Sequence, residues 1–417
     1  MYLNLWKLND ALLFFLFFSS LFLTRAFSQF KLPLLIICFT LSILFLINSK
    51  VKLSLRPLLL IFATMLGVLI WSFVGVIHGN NELAIIESLR LFFAYYIINL
   101  VFVLYLFKRI RFVYVDILFS LATICIFTTA VLAIYNISLF PQWFIEEMNL
   151  RIGVYDGYIQ NTAHHIGMLS LTVPYLMVVS VYNVSSVYKL VWFALMLGII
   201  TIILSSRRAV YLAIVLIPLT LLFVHYLSHK RMAEKIAKLY SLFFAYFVLF
   251  SLSILIFYTY YTDYFLVFFD RILEAIQQVS EKNYVSERAL QSVSLLKGFS
   301  EYPLLGSGFG GTVDVVRNSD RPWIFELSYH NLLFNIGIVG FFLFVVLNCY
   351  TLKILTSKLR NNENKDKYHM IAIIVSVVSM YVISYSNPYI SSSYDFLFVN
   401  FLMPLLYLKG SVDSEKY

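Results

Sequence analysis

The apolar residues of this chain gather into runs of about 20, the length an α-helix needs to cross the hydrocarbon core of a bilayer. Hydrocarbon offers no water to bond a bare backbone, so runs of this kind are expected to be helices that satisfy their own N–H and C=O groups. Hydropathy places about twelve spans, near residues 9–28, 32–48, 57–77, 84–107, 113–135, 164–184, 188–206, 209–227, 239–261, 330–350, 369–386 and 394–408. Charged residues make up 13% of the chain, against roughly 25% in a soluble domain. The expected fold class is an all-α polytopic membrane protein, with about twelve transmembrane helices and one long periplasmic loop containing short helices. Three regions follow: transmembrane helices over 1–261, the long loop over 262–329, and further transmembrane helices over 330–417. The first apolar run, ALLFFLFFSSLFL, is followed by TRAFSQF, which lacks a small-x-small cleavage site, so it reads as a first helix rather than a signal peptide.

Lys and Arg in short loops set the orientation. Alternate loops hold Lys50, Lys52 and Arg56; Lys108, Arg109 and Arg111; Lys189; Lys230, Arg231, Lys235 and Lys238; and Lys353, Lys358, Arg360, Lys365 and Lys367. These loops and both termini are expected on the cytoplasmic side. Arg25 and Lys31 then fall on the outer side, against the tendency. The net charge of +9 is read as topology, not as a surface for nucleic acid. Cys38, Cys125 and Cys349 all lie inside apolar runs, which suggests neither a disulfide framework nor a thiolate metal site.

Four stretches stand out on the outer side. In LSSRRAVYLA, Arg207 and Arg208 stand between two spans with almost no loop around them. They either snorkel to headgroups or form an anion site, and arginine suits bidentate phosphate binding. The stretch SERALQSVSLLKGF, residues 286–299, has Ala289, Val293 and Leu296 at helical spacing. It reads as an amphipathic helix lying on the membrane interface or packing on the bundle. In EYPLLGSGFGGTVDVV, Gly306, Gly308 and Gly311 satisfy GxGxxG. The motif has no βαβ context here, so a dinucleotide site is rejected. A flexible Pro/Gly turn is the better reading, with close backbone approach to a ligand as the alternative. Finally, YHNLLFNIGIVGFFLF begins a span with His330 and Asn331. Histidine is the commonest general base, although a lone histidine at a helix end is more often structural. Asn331 is readable as a helix cap.

Other histidines are weaker candidates. His225 and His229 lack the HExxH glutamate and read as a solvated helix end, while His164 and His165 open the sixth span and read first as structural. No DxD pair is present to hold a divalent metal with a phosphorylated substrate, and there is no nucleotide-binding domain. Any chemistry would use a substrate that carries its own activation.

The three blocks SSRRAVYLA, SERALQSVSLLKGFSEYPLLGSGFGG and YHNLLFNIGIVGFFLF, in that order, resemble the O-antigen ligase and O-antigen polymerase family of bacterial envelope enzymes. The likeness covers roughly residues 195–350, and the first half matches only in hydropathy. The resemblance implies transfer of a glycan from undecaprenyl diphosphate to an acceptor hydroxyl at the outer face of the bacterial inner membrane, with no cofactor and no metal. It implies that Arg207 and Arg288 bind the donor diphosphate and that His330 acts at the acceptor hydroxyl. Arg208 stands where many relatives have a small residue and is kept as a second diphosphate candidate. Glu326, Tyr329 and Asn331 beside His330 are further candidates for substrate contact. The partners so implied are the lipid-linked glycan donor, a glycan acceptor, the bilayer and a chain-length regulator protein.

The chemistry is coherent on its own terms. A diphosphate leaves well once its charge is stabilised, which arginines can do as preorganised charge. A neutral imidazole can take the proton of a sugar hydroxyl. Attack from the face opposite the diphosphate inverts the anomeric centre. Within the family, the polymerase of repeat units is favoured over a ligase that hands polymer to lipid A core. The reasons are 30 Tyr and 40 Phe suited to sugars as well as lipid, and the stretch SYSNPYISSSYDF at 384–396. A lipid-linked oligosaccharide flippase is the alternative of another class, but no internal repeat supports it.

Overall fold

The computed structural model describes residues 2–24, 26–49, 55–106, 111–155, 158–161, 163–205, 210, 217–224, 287–316, 319–361, 366–385 and 387. It is a helical bundle. Helices α1 (Tyr2–Phe22), α2 (Ser28–Ser49) and α3 (Leu55–Ile77) are followed by α4 (Glu82–Leu89), a π-helical turn (Arg90–Ala94) and α5 (Tyr95–Leu106). Then come α6 (Phe112–Tyr135), α7 (Gln142–Met148), α8 (Leu169–Tyr182) and α9 (Tyr188–Ser205). The later chain forms α10 (Glu287–Glu301), α11 (Ser328–Asn361) and α12 (Asp366–Ile383).

Among the described residues, six helical segments are long and apolar enough to cross a membrane: Leu5–Phe22, Ser28–Asn48, Glu82–Leu106, Phe112–Tyr135, His165–Tyr182 and Ser328–Tyr350. Shorter apolar helices cover Phe62–Ile77, Tyr188–Ile202 and Lys367–Ile383. These nine fall where nine of the expected spans lie. The expected spans at 239–261 and 394–408 lie outside the described residues, and 209–227 is described only at 210 and 217–224. The expectation of an all-helical chain needs one addition. In the 136–163 segment, β1 (Ile152–Tyr155) pairs antiparallel with β2 (Tyr158–Asn161), in the register Ile152↔Asn161 and Tyr155↔Tyr158. The intervening Asp156-Gly157 is a pair that two-residue hairpins favour.

The centre of the bundle is α8, whose span is 94% buried. It lies against α6, α9 and α12, and a helix apolar on all sides is suited to that place. One polar knot ties three of these helices. Asp116 of α6 accepts a hydrogen bond from the Tyr175 hydroxyl of α8 at 2.8 Å, and its other oxygen is 3.2 Å from His369 Nε2 of α12. The His369 ring stacks on Phe112 at 4.8 Å. All three polar side chains are buried.

The other organising feature is a break in α11. Gly337 has φ 60° and ψ −172°, outside the helical region. The groups freed by the break are bonded by the loop that follows α10. The N–H groups of Ser307 and Gly308 donate to the carbonyls of Phe334 and Asn335, both at 2.9 Å. Ile338 and Val339 N–H donate to the carbonyls of Pro303 and Leu304 at 2.9 and 3.1 Å. On its other side the loop meets the end of α3. Phe309 N–H donates to the Trp71 carbonyl at 3.1 Å, and the Trp71 indole donates to the Leu305 carbonyl at 2.8 Å. The Asn80 amide donates to the Ser307 and Phe309 carbonyls at 2.7 and 3.1 Å, and His78 Nδ1 is 3.0 Å from the former. The loop is therefore bonded on both sides, which corrects the reading of a flexible turn. Its close backbone approach is to helices of the bundle.

Gly308 carries this contact. Its φ is +78°, and a Cβ there would lie 2.1 Å from the Gly75 nitrogen. Gly79 has a similar φ of +69° but nothing within 4 Å of its would-be Cβ. Gly308→Ala should therefore lower stability by about 3 kcal/mol or more, and Gly79→Ala by only about 1–2 kcal/mol. Thermal unfolding of the two variants in detergent measures the difference, and equal losses would show that the α3–loop contact contributes nothing. The polar knot makes a second forecast. His369→Ala leaves a buried carboxylate without its counter-group and should cost about 3–5 kcal/mol. The triple change Asp116→Leu, Tyr175→Phe, His369→Leu should recover most of that loss in the same assay.

Candidate functional site

Above the break, the first two turns of α11 face the α10 loop end of the bundle. Two bonds seat this segment. Ser328 Oγ donates to the Asn387 carbonyl at 2.9 Å, and the Tyr329 hydroxyl donates to the Tyr381 carbonyl at 2.6 Å. Tyr329 is thus tied to α12. His330 is half-buried, and its Nδ1 is buried without a hydrogen-bond partner. Its ring lies 6.3 Å from that of Tyr385.

Asn331 is not the cap that its position suggests. The helix begins at Ser328, and the Asn331 N–H already donates to the Leu327 carbonyl at 2.9 Å. Its side chain instead accepts from Asn335 Nδ2 at 2.7 Å, one turn along. Both asparagines are buried, and Asn335 Oδ1 has no partner. Asn335 was missing from the sequence-based candidates. The signal for it was a pair of amides at i, i+4 inside an apolar span, where polar side chains are rare.

Helix α10 carries Arg288, and it packs on α11 through a cluster of Leu295, Phe325, Leu327 and Phe334. The helix forms where its apolar spacing predicts, but it presents a different face. Gln291, Ser294 and Leu295 are its buried residues, whereas Ala289, Val293 and Leu296 are exposed. The reason lies in the loop. Gln291 Oε1 accepts from the Glu326 N–H at 3.0 Å, and Ser294 Oγ accepts from Val315 N–H at 3.4 Å. The returning chain needs hydrogen-bond partners, and the polar face of α10 supplies them. The apolar face is left outward, where a membrane interface would accept it.

Arg288 itself pairs with Glu326 at 2.8 Å through Nε. Its side chain is half-exposed. The two terminal nitrogens make no hydrogen bond among the described residues, so the outer fork of the guanidinium is available. Glu326 therefore acts first on Arg288, as the carboxylate that holds it. The segment before Glu326 is pinned to α4: the Trp323 indole donates to Glu87 Oε2 at 3.1 Å, and Arg321 is 3.7 Å from Glu87 Oε1.

Helices α10 and α11 thus bring Arg288, Glu326, His330 and Asn331 to one end of the bundle. Arg207 and Arg208 lie outside the described residues, as do His225, His229 and most of 384–396. His165 is fully buried with its ring edge-on to Phe22 at 5.9 Å, which favours its structural reading. Asp116 and His369 also went unremarked in the sequence, although a lone carboxylate within an apolar span is a signal in its own right. Among the described residues no three His, Cys, Asp or Glu side chains are grouped as metal ligands would be. Neither the models of known protein families nor the curated proteins contain a match to this chain.

The clamp on Glu87 can be tested separately from any chemistry. Glu87→Ala removes both the Trp323 and Arg321 partners. Amide hydrogen exchange over 323–327 should then speed up about tenfold, through easier local opening. Unchanged exchange would mean that the loop is held elsewhere.

Proposed function

We propose that this protein is a membrane glycosyltransferase that polymerises lipid-linked glycan repeat units, as an O-antigen or exopolysaccharide polymerase does. The observation that carries the reading is the presence, on two packed helices, of a half-buried imidazole with an unpartnered nitrogen and of an arginine with its outer fork open. The resemblance of the three sequence blocks to the O-antigen ligase and polymerase family supports it. So does the presence of helices long enough to hold a lipid-borne substrate at membrane depth.

In this reading the donor is a glycan on undecaprenyl diphosphate. The acceptor hydroxyl of a second lipid-linked unit attacks the anomeric carbon of the donor. As the new C–O bond forms, the bond from that carbon to the diphosphate oxygen breaks, and its electron pair leaves with the diphosphate. His330 takes the hydroxyl proton as general base. Arg288 faces the growing charge on the diphosphate, and Glu326 on its Nε keeps the guanidinium oriented. Arg207 and Arg208 are the further cations assigned to the diphosphate. Backside attack inverts the anomeric centre. The reaction takes place at the outer face of a bacterial inner membrane, with both termini cytoplasmic.

His330→Ala should lower glycan extension by about 10²–10⁴-fold, the usual contribution of a positioned base. Arg288→Lys keeps the charge and loses the fork, and should lower it by at least about tenfold. The measurement is chain length made by purified protein from undecaprenyl-diphosphate repeat units, alongside glycan gels of a strain lacking the gene. Single repeats on lipid A core in that strain match a lost polymerase. Full-length polymer stranded on the lipid carrier would instead identify a ligase. Wild-type extension by His330→Ala would remove the catalytic assignment.

A further inference from the structure

A cavity of about 250 Å³ lies between α1, α2 and the turn that joins α4 to α5. Two cations line it, Lys31 and Arg90, together with Gln29, Ser28, Ser20 and Tyr95, and none of its lining residues is acidic. Lys31 is only 6% exposed, and its ammonium donates to the Leu23 carbonyl. A lysine that merely snorkelled to water would keep its head outside. The Arg90 side chain is exposed, with no ion pair or hydrogen bond among the described residues. It starts the π-helical turn, in which its carbonyl accepts from Tyr95 N–H across five residues. Turns of this kind are rare and concentrate at functional sites. Arg90 stands roughly 12 Å along the helix from Glu82, within a segment apolar enough to cross a membrane. A cation at such depth is unfavourable by about 2.5–3.5 kcal/mol or more, so Arg90, on the rim of this cavity, calls for an anion.

The cavity lies at the end of the bundle that carries the α10 loop. Phe27, just before α2, has its N–H bonded by Glu147 of α7 at 3.0 Å, where α6 has ended. Two residues after Arg90, Phe92 stacks on Phe309 of the glycine loop at 5.6 Å. The π turn therefore offers one side to the glycine loop and the other to the cavity.

We infer that the Lys31–Arg90 cavity is a phosphate site that takes the phosphorylated head of a membrane lipid. Arginine supplies the planar fork that matches phosphate oxygens, and lysine a point charge beside it. In this assignment the acyl or prenyl tail stays in the hydrocarbon beside these helices while the head occupies the cavity. The site is separate from His330 and Arg288, and it concerns binding alone. If the polymerisation reading also holds, the enzyme must seat two lipid diphosphates at once, and this cavity accommodates one of them.

The test is binding to the purified full-length protein in detergent, by native mass spectrometry and thermal shift. The probes are undecaprenyl diphosphate, phosphatidylglycerol and inorganic diphosphate. Undecaprenyl diphosphate or phosphatidylglycerol should bind and raise the melting temperature, and the better of the two names the source of the phosphate. Arg90→Gln should remove one bound lipid or weaken its binding at least about tenfold, the loss of one charge-assisted pair. Arg90→Lys should fall between that variant and wild type. Arg90 is exposed, so the glutamine variant should melt like wild type without ligand. Lys31→Met gives a second, more buried probe of the same site. The same binding measured in His330→Ala should be unchanged, which separates this site from the catalytic assignment. The inference is overturned if Arg90→Gln keeps wild-type lipid number and affinity, or if only inorganic diphosphate binds in an Arg90-dependent way.

Discussion

A helix that breaks inside hydrocarbon exposes backbone groups that water cannot reach, and each needs a partner. In α11 the break falls at Gly337, and the partners come from 303–308, one residue for each freed group. Much else at that end of the bundle depends on this exchange. The loop reaches the break where Gly306 and Gly337 let two backbones touch, and it reaches α3 where Gly308 and Gly75 do the same. Trp71, His78 and Asn80 at the end of α3 then hold its carbonyls. With the loop fixed there, α10 packs on α11, and Arg288 is carried to the helix that bears His330.

What could be read from the sequence divides along physical lines. Spans were legible because each is a local property: a long apolar run can satisfy its backbone only as a helix. Among the described residues, six helices long enough to cross a membrane and three shorter apolar ones fall where hydropathy places spans. Helix α10 was legible as a helix but not in its facing. Periodicity marks the apolar face, and in a membrane protein that face can turn toward lipid while polar residues such as Gln291 hold the protein side. The glycine stretch was ambiguous because glycines serve both loose turns and tight contacts. The contact partners, Gly75 and Gly337, lie far away in sequence. Glu326 could be marked as polar and near His330, but its bond to Arg288 depends on a packing that no spacing reveals.

The charged groups within the apolar segments of the bundle fall into two kinds. Asp116 has a hydroxyl and an imidazole around it, drawn from two other helices, and its neighbours account for both oxygens. That arrangement fixes the mutual rotation of α6, α8 and α12 and needs nothing from outside. Arg90 is of the other kind, because it adds its charge, beside that of Lys31, to a cavity lined by no acid. The first reads as architecture and the second as recognition. Lys31 violates the positive-inside tendency, and an anionic ligand would supply the reason.

The interrupted helix also bears on the choice between an enzyme and a transporter. Transporters use broken spans near the midplane, where the bare half-helix ends face a substrate cavity. Here the ends are closed by the protein's own loop, through four backbone bonds. A closed break cannot offer its dipoles or carbonyls to a passing solute, and opening it would also undo the contacts at Gly75 and Trp71. What the break does instead is fix the first two turns of α11, above Gly337, against the loop and the rest of the bundle. His330 sits on that short seated segment, and a rigid support of this sort is what the proposed proton transfer needs, since a general base must be held within hydrogen-bond reach of its substrate.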